Sequence, residues 1–308
     1  MSTVSAEVEA IDAAAVFGGR AIVSVLGDGA AGEPAAAAAA AIRRLTAWHE
    51  QFSRFEPGSE LSRLNGDPRS SVPVSAVMYR LIEAILDGAL ISGGLVDATL
   101  VGEIERAGYA AAREAGELDL RAALDLAPAP RPAAPNPRAR WDQVSLDRRN
   151  STVTRPPGLR FDSGGIAKGL FADILAEVLG THTAFAIDCA GDVRVGGAGG
   201  LARPVNVASP FDAGVLHTFE LRDGAAATSG ITRRAWLDAQ GRPAHHLLDP
   251  ASGRPAYTGI VQATALAPTA VEAEIHAKTA LLRGPSGASS AIPHGGLLVY
   301  ADGSYELI

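Results

Sequence analysis

The sequence predicts an α+β fold, in which a mixed or antiparallel sheet is covered by packed helices. Runs with strand character alternate irregularly with long helical segments, unlike the regular strand–helix repeat of a parallel sheet. The chain has 308 residues, 47% of them hydrophobic, which is enough for a large core. A proline-rich stretch at 127–138, APAPRPAAPNPR, suits no regular element, and we interpret it as a surface linker.

The N-terminal half is predicted to begin with a strand at 20–26, RAIVSVL. An alanine-rich helix follows, because alanine has the highest helix propensity. A turn and a short helix are expected at 56–65, with Ser59 as N-cap. An amphipathic helix at 75–94 ends at two glycines, and another helical segment covers 101–116.

The C-terminal half is predicted to supply most of the sheet, because apolar alternation and turn residues recur along it. The predicted strands lie in a hairpin at 141–163, in a pair at 183–197, in runs at 203–210, 217–223, 225–230 and 260–268, and in a terminal hairpin at 295–308. Helices are predicted at 166–180 and 269–284, each closed by a glycine.

Charge and cysteine content exclude several classes of protein. The formal net charge is −7, so we expect no basic surface for nucleic acid. Cys189 is the only cysteine, which excludes an internal disulfide and a thiolate metal cluster. The first residues are acidic, and no apolar run has the length of a membrane span. We therefore expect an N-terminal tail over 1–16, one domain over 17–308, and a cytoplasmic location.

The stretch FDSGGIAKGL at 161–170 is the first candidate site. It lacks the spacing of a phosphate-binding P-loop, but it has a glycine pair between an apparent strand and a helix. Such a turn can present backbone N–H groups to a phosphate, or it can serve packing alone. Lys168 follows the turn, and the only other lysine among the 27 basic residues is Lys278. An ammonium is a compact charge that suits a crowded phosphate or metal site.

Two further clusters carry polar groups. HHLLDPASGRP at 245–255 places His246 three residues before Asp249, a pair that can bind metal, act as acid and base, or belong to an ordinary surface turn. In AEIHAKTALLRG at 273–284, Glu274 and Lys278 are four residues apart on one helix face. That spacing fits a salt bridge or part of a metal site.

Some enzyme classes lack support. The chain has no G-x-S-x-G nucleophile elbow and no H-E-x-x-H zinc motif. GAGGLA at 197–202 loosely matches a dinucleotide fingerprint, but a strand-like segment follows it where a helix would be required. We interpret it as a glycine-rich turn.

Taken in order, seven segments resemble the ApbE family of FAD:protein FMN transferases. They are SRFEPGSELSRLN, GGLVDATL, FDSGGIAKGLFAD, AIDCAGDVRVGG, AATSG, HHLLDPASGRP and AEIHAKTALLRG. The resemblance implies a tunnelling-fold-like α+β domain that binds FAD with Mg²⁺ beside the pyrophosphate. It further implies transfer of FMN to a Thr or Ser hydroxyl of a partner flavoprotein, such as a membrane-associated redox subunit, with release of AMP. Some members instead hydrolyse FAD to FMN and AMP.

The resemblance also assigns residues. It implies catalytic roles for His246 and Asp249. It implies FAD contacts for Leu95, Val96, Asp97, Lys168, Leu170, Thr228, Ser229 and Leu248, and metal contacts at Ala167, Glu274 and Lys278.

This chain departs from the family pattern at the metal. The family has Asp and Thr where this chain has Glu274 and Lys278. Glu can bind Mg²⁺, whereas a protonated lysine cannot. We hypothesise that the Lys278 ammonium replaces part of the cation's charge or pairs with Glu274. A second departure puts Asp188 and Ala190 in place of Asn and Gly. These changes leave two alternatives to transfer: an FAD-binding protein without activity, and an FAD pyrophosphatase.

Overall fold

The structure, a computed structural model, describes residues 9–111 and 118–308. Its strands are β1 (Glu9–Val16), β2 (Gly19–Leu26), β3 (Ser71–Pro73), β4 (Ser145–Asp147), β5 (Thr152–Thr154), β6 (Ala184–Cys189), β7 (Asp192–Gly196), β8 (Arg203–Ala208), β9 (Val215–Leu221), β10 (Gly224–Gly230), β11 (Ala235–Leu237), β12 (Pro243–His245), β13 (Leu248–Asp249), β14 (Arg254–Pro255), β15 (Ile260–Ala267), β16 (Gly296–Tyr300) and β17 (Tyr305–Leu307).

The α-helices of the same residues include two long ones that pack against each other and carry the candidate motifs. The helices are α1 (Pro34–Gln51), α2 (Glu60–Gly66), α3 (Ala76–Ile91), α4 (Val101–Arg106), α5 (Leu120–Asp125), α6 (Ala167–Leu179) and α7 (Ala270–Arg283). Within the described part of the chain, no helix combines the length and apolarity needed to cross a membrane.

The centre of the fold is an eight-stranded sheet in the order β1-β2-β6-β7-β10-β15-β16-β17. Every neighbouring pair in it is antiparallel. Helices α1, α6 and α7 cover one face, and α3 packs on α6 and α7. The main apolar core lies between this face and the helices. The α+β class with an antiparallel sheet and packed helices, predicted from the sequence, is confirmed.

The predicted N-terminal tail is too long. Residues Glu9–Val16 form edge strand β1, which pairs with β2 along its whole length. The two strands are joined at Phe17 and Gly18, whose φ angles of 57° and 69° belong to the tight hairpin turns that match strand twist. The sequence EAIDAAAV hides this strand, because alanine has low strand propensity and the alternation of apolar residues is weak. Residues 1–8 lie outside the described part.

Helix α4 and the strands β8 and β9 differ from their predictions. Helix α4 ends at Arg106, because the chain reverses at Gly108 with a φ of 102°. Residues 112–116 of the predicted helix lie outside the described part. The strands predicted at 203–210 and 217–223 do not extend the central sheet. They form the separate hairpin β8–β9, whose Val205 packs on Val195 of the sheet face opposite the helices.

The proline-rich stretch 127–138 has no helix or strand, as predicted. It is nevertheless tied to the domain by backbone hydrogen bonds. Arg131 N–H donates to the carbonyl of Tyr257 at 2.9 Å, and Ala133 N–H donates to that of Leu282 at 2.8 Å. The stretch therefore follows the segment between β14 and β15 and the end of α7.

Candidate active site

A deep cavity opens where the end of α1, the loop after α3, the turn before α6 and the segment 246–248 meet. Eight predicted site residues line it: Leu95, Val96, Asp97, Ala167, Lys168, His246, Leu248 and Lys278. Residues 168 and 278 are 110 positions apart, and the contact between α6 and α7 brings them to the same wall.

The turn before α6 is held by its own polar side chains. Asp162 Oδ1 accepts the N–H of Gly164 at 2.7 Å, and Asp162 Oδ2 accepts Nε of Arg54 at 2.9 Å. The Ser163 hydroxyl donates to the carbonyl of Phe52 at 2.7 Å. These bonds connect the turn to the end of α1, so the start of α6 is fixed at the cavity wall.

Gly169 allows α6 and α7 to approach closely. A Cβ at this position would lie 2.6 Å from the carbonyl oxygen of Ala270, far inside contact distance. Asp173 of α6 then accepts the N–H groups of Ala270 and Val271 at 2.8 and 3.0 Å, which caps α7. This close contact places the lysines of the two helices together.

Four charged side chains form a buried cluster behind the cavity. Lys278 Nζ donates to Glu274 Oε1 at 3.0 Å, Lys168 Nζ is hydrogen-bonded to Asp192 Oδ2, and Lys168 Nζ lies 3.6 Å from Glu274 Oε1. Both carboxylates are buried and absent from the cavity wall, whereas both lysines line it. The ammonium groups are thus held facing the cavity, with their counter-charges behind them.

Burial and the charges within the cluster shift the pKa values of its members. Burial alone would raise the pKa of Glu274, but the adjacent Lys278 and Lys168 outweigh it and lower that pKa to about 2. Burial opposes the charged form of Lys168 as well, yet Asp192 and Glu274 raise the pKa of Lys168 above its usual value. Glu274 and Lys168 are therefore both ionised at neutral pH.

Two of the three residues predicted to hold Mg²⁺, Glu274 and Lys278, do not fit it, and the metal contact at Ala167 stays a prediction. Lys278 has no lone pair to donate. The two oxygens of Glu274 are occupied, Oε1 by Lys278 and Oε2 by the N–H of Gly169 at 3.0 Å. Within residues 9–111 and 118–308, no group of three or more His, Cys, Asp or Glu side chains is arranged to hold a metal ion. Glu274 and Lys278 therefore leave no free oxygen ligand for a divalent cation.

His246 reaches the cavity from the chain after β12. Its Nδ1 is buried without a hydrogen-bond partner. Burial, followed by the charges of Arg234, His245, Lys278 and Lys168, lowers the pKa of His246 well below its usual value. The imidazole is therefore neutral at physiological pH and able to accept a proton.

Asp97 lines the cavity and has one carboxylate oxygen without a hydrogen-bond partner. Its Oδ1 accepts the N–H and the hydroxyl of Thr99 at 2.8 and 2.6 Å, whereas its Oδ2 is buried without a partner. Burial raises the pKa of Asp97. Since buried polar atoms normally have hydrogen-bond partners, the open Oδ2 is a contact point for a ligand N–H or O–H group.

Asp249 faces the protein and not the cavity. Its Oδ1 accepts the N–H groups of Ala134 and Ala251 at 3.0 and 3.2 Å, and its Oδ2 accepts the hydroxyl of Ser252 at 2.6 Å. Asp249 thereby fastens the proline-rich stretch to the turn after β13. The geometry gives this side chain a positioning role, and the catalytic role that the resemblance implied stays a prediction.

Four other predicted residues lie behind the wall. Glu274 stands behind Lys278, and Leu170 is buried in the core one turn after the start of α6. Thr228 and Ser229 are on β10, where the Thr228 hydroxyl pairs with that of Thr264 at 2.8 Å and the Thr228 N–H donates to Asp192 at 3.3 Å. They support the charged cluster without lining the cavity.

The residues of the second departure also lie behind this region. Asp188 accepts the N–H of Gly191 at 2.7 Å. Burial raises the pKa of Asp188, while the nearby Lys168 and Arg233 oppose that rise. Ala190 has a φ of 58°, a conformation that glycine adopts with less strain.

Sequence reasoning missed several wall residues. Arg54 and Arg234 both line the cavity, and the Arg54 guanidinium lies 4.1 Å from the ring centre of Phe55. Six aromatic rings that were not predicted also line the cavity: Phe17, Trp48, Phe52, Phe55, Tyr109 and Phe171. The adjacent Arg54 and Phe55 in SRFEPG were a sequence signal for a ligand-binding wall. Nothing in the local sequence marked Phe17 or Arg234 as cavity residues.

Comparisons with known proteins give one family. The sequence profile of the ApbE family matches residues 17–299. The FAD:protein FMN transferase of Treponema pallidum is 28% identical over 253 residues, which cover 73% of this chain and 65% of the relative. The protein of the same name from Rhodobacter capsulatus is 30% identical over 228 residues, covering 71% of this chain and 41% of the relative. The chain thus spans less than two thirds of the length of these relatives.

Solved structures agree in fold. The ApbE protein of Thermotoga maritima has a TM-score of 0.74 at 23% identity and covers 98% of this chain and 96% of its own. The flavinyl transferase ApbE of Pseudomonas stutzeri has a TM-score of 0.75 at 19% identity and covers 100% and 96%. The family profile, the relatives and the shared fold lead to one conclusion: the chain belongs to the ApbE family.

Proposed function

We propose that this protein transfers FMN from FAD to a Thr or Ser hydroxyl of a partner flavoprotein and releases AMP. One observation carries the proposal: a neutral imidazole and three cationic side chains line the same cavity. The imidazole is that of His246, whose Nδ1 has no partner, and the cations are Lys168, Lys278 and Arg234. Cations stabilise the charge that a pyrophosphate develops during transfer, and the imidazole takes the proton of the attacking hydroxyl.

The reaction is a displacement at phosphorus. The acceptor oxygen forms a bond to the FMN phosphorus, and the bond from that phosphorus to the bridging oxygen of AMP breaks. The hydroxyl proton moves to Nδ1 of His246. The products are a phosphoester-linked FMN and AMP, so atoms and charge balance without an oxidant or reductant.

The other walls match the remaining parts of FAD. The ring centre of Phe171 lies 5.0 Å from that of Trp48 and 5.4 Å from that of Phe52. This group of aromatic rings suits a flat heterocycle. Asp97 Oδ2 suits an N–H or O–H donor of the flavin, adenine or sugar. A bound Mg²⁺ would supply charge neutralisation at the phosphates, but the predicted side-chain donors do not fit it, and we assign it no step.

The experiment combines purified protein with FAD and a flavoprotein acceptor that bears a reactive Thr. Equal amounts of AMP and of acceptor carrying FMN, the latter read by mass spectrometry, are expected. AMP together with free FMN would replace the proposal with FAD hydrolysis. FAD binding without AMP would replace it with a flavin-binding role. The cytoplasmic location stays a prediction of the sequence.

A further inference from the structure

The charged cluster raises a question that the transfer reaction leaves open. A pyrophosphate in this cavity needs positive charge beside it, and the side chains expected to bring that charge as a metal ion do not fit one. Resting on the proposed function, we propose that the ammonium groups of Lys168 and Lys278 bind the pyrophosphate of FAD directly, in the place of a divalent cation.

The orientation of the cluster supports direct binding. Glu274 is fully buried and Asp192 is 1% exposed, whereas both lysines line the cavity. Each ammonium has three N–H donors. The described contacts within hydrogen-bond distance use one donor of Lys278, to Glu274, and one of Lys168, to Asp192. The remaining donors are available to phosphate oxygens.

The turn before α6 brings backbone to the same wall as the lysines. Gly165 lies against Lys278, because a Cβ built on it would be 3.4 Å from Lys278 Cε. Both residues line the cavity together with Arg234. A glycine at this point lets the ligand approach the backbone closely. The wall thus combines three cations with the glycine-containing turn before α6, and cations of this kind bind phosphate oxygens.

The same cluster disfavours a metal ion. A divalent cation placed at Glu274 would lie beside two ammonium groups, whose charges repel it. It would also have to displace Lys278 from Oε1 and the Gly169 N–H from Oε2. Lys278 therefore performs two tasks with one group, since it neutralises Glu274 and contributes a phosphate donor.

The first arm of the test needs no variant. The Kd of the intact protein for FAD is measured by flavin fluorescence in excess Mg²⁺ and in excess EDTA. We expect the two values to agree within about twofold. A Kd at least about tenfold weaker in EDTA would overturn the inference and leave the proposed function standing. Absence of FAD binding in both conditions would overturn the proposed function and, with it, this assignment of the pyrophosphate.

The second arm exchanges the charge. Lys278→Thr is expected to weaken FAD binding about tenfold or more, because one charge-assisted contact is lost. The control Arg148→Thr removes an exposed cation that does not line the cavity, and its Kd is expected to stay unchanged. An unchanged Kd in a folded Lys278→Thr variant would also overturn the inference.

The third arm uses a metal alone. Mn²⁺ is titrated against apoprotein and followed by electron paramagnetic resonance. The unaltered chain is expected to leave Mn²⁺ free, whereas E274D/K278T, which removes the ammonium and shortens the acid, is expected to bind it and to need it for FAD binding. Binding of Mn²⁺ to the unaltered chain that disappears in Glu274→Gln would overturn the proposal.

Discussion

Asp97 and Asp249 both belong to motifs that point to the active site, but they face opposite ways. Asp97 lines the cavity, where Oδ1 accepts from Thr99 and the buried Oδ2 has no partner. Both carboxylate oxygens of Asp249 accept hydrogen bonds within the protein, from Ala134, Ala251 and Ser252. Membership of a site motif therefore does not show whether a side chain binds ligand or supports the wall. For these two aspartates, the hydrogen bonds that the protein already makes to each carboxylate distinguish the two roles.

The adjacent histidines repeat the contrast. Both histidines have a buried nitrogen without a partner, Nδ1 of His246 and Nε2 of His245, but only His246 lines the cavity. His245 is 1% exposed and packs edge-on against Tyr257 at 4.8 Å between ring centres. His246→Gln is expected to lower the rate of FMN transfer by about 10²–10⁴-fold, because the proton acceptor is lost. AMP release measures this effect, and the Kd for FAD should change little. A rate within threefold of the unaltered protein would break the comparison.

Gly169, which lets α6 and α7 approach closely, is expected to affect the stability of the fold. Gly169→Ala places a methyl group 2.6 Å from the carbonyl oxygen of Ala270, so α6 and α7 must separate. We expect a loss of about 1–3 kcal/mol in the free energy of unfolding, measured in urea. Gly66→Ala is the control, because nothing lies within 4 Å of its added methyl group. Equal stability of both variants would contradict the close contact of the two helices.

The two aspartates can be compared by one substitution. In Asp97→Asn, the amide oxygen can still accept from Thr99 while an NH₂ group replaces the open oxygen. We expect FAD binding to weaken about tenfold and the melting temperature to hold, because an acceptor for the ligand is lost. Fluorescence titration and thermal unfolding measure the two effects.

Asp249→Asn is the matched partner of that variant. It keeps an acceptor for Ala134 and removes the one that Ser252 uses. We expect a loss of about 1 kcal/mol in stability and an FAD affinity within about twofold of the unaltered chain. Reversal of the two results would show that the open and filled carboxylates had been assigned the wrong roles.

The smallest expected effect concerns pH. Burial lowers the pKa of His245 to about 3, while the unfolded chain titrates near the ordinary value of about 6.5. As the pH falls through this range the unfolded state takes up a proton and the folded state does not, so stability falls. Between about pH 7 and about pH 6 the loss from this group is about 0.7 kcal/mol. Urea unfolding should show this part of the slope missing in His245→Leu, and an unaltered slope would contradict it.

Local sequence was enough for the elements whose signals are short-range. Ser59 caps α2 as predicted, accepting the N–H of Ser62 at 2.9 Å, and the hairpin between β4 and β5 turns where Asp147 and Asn150 place it. Helices α6 and α7 begin and end within one residue of prediction. Caps, turn residues and helical periodicity act within a few positions, so these elements can be predicted from the sequence.

The sequence by itself also determined the composition of the site, including its two lysines and the Glu274–Lys278 spacing. Only the tertiary structure decided which of these groups face the cavity. Lys168 and Lys278 meet because Gly169 lets two distant helices touch, and Asp249 turns inward because Ala134 supplies its partner. β1 required β2 to become a strand. Such outcomes depend on partners far away in the chain, which a local pattern does not contain.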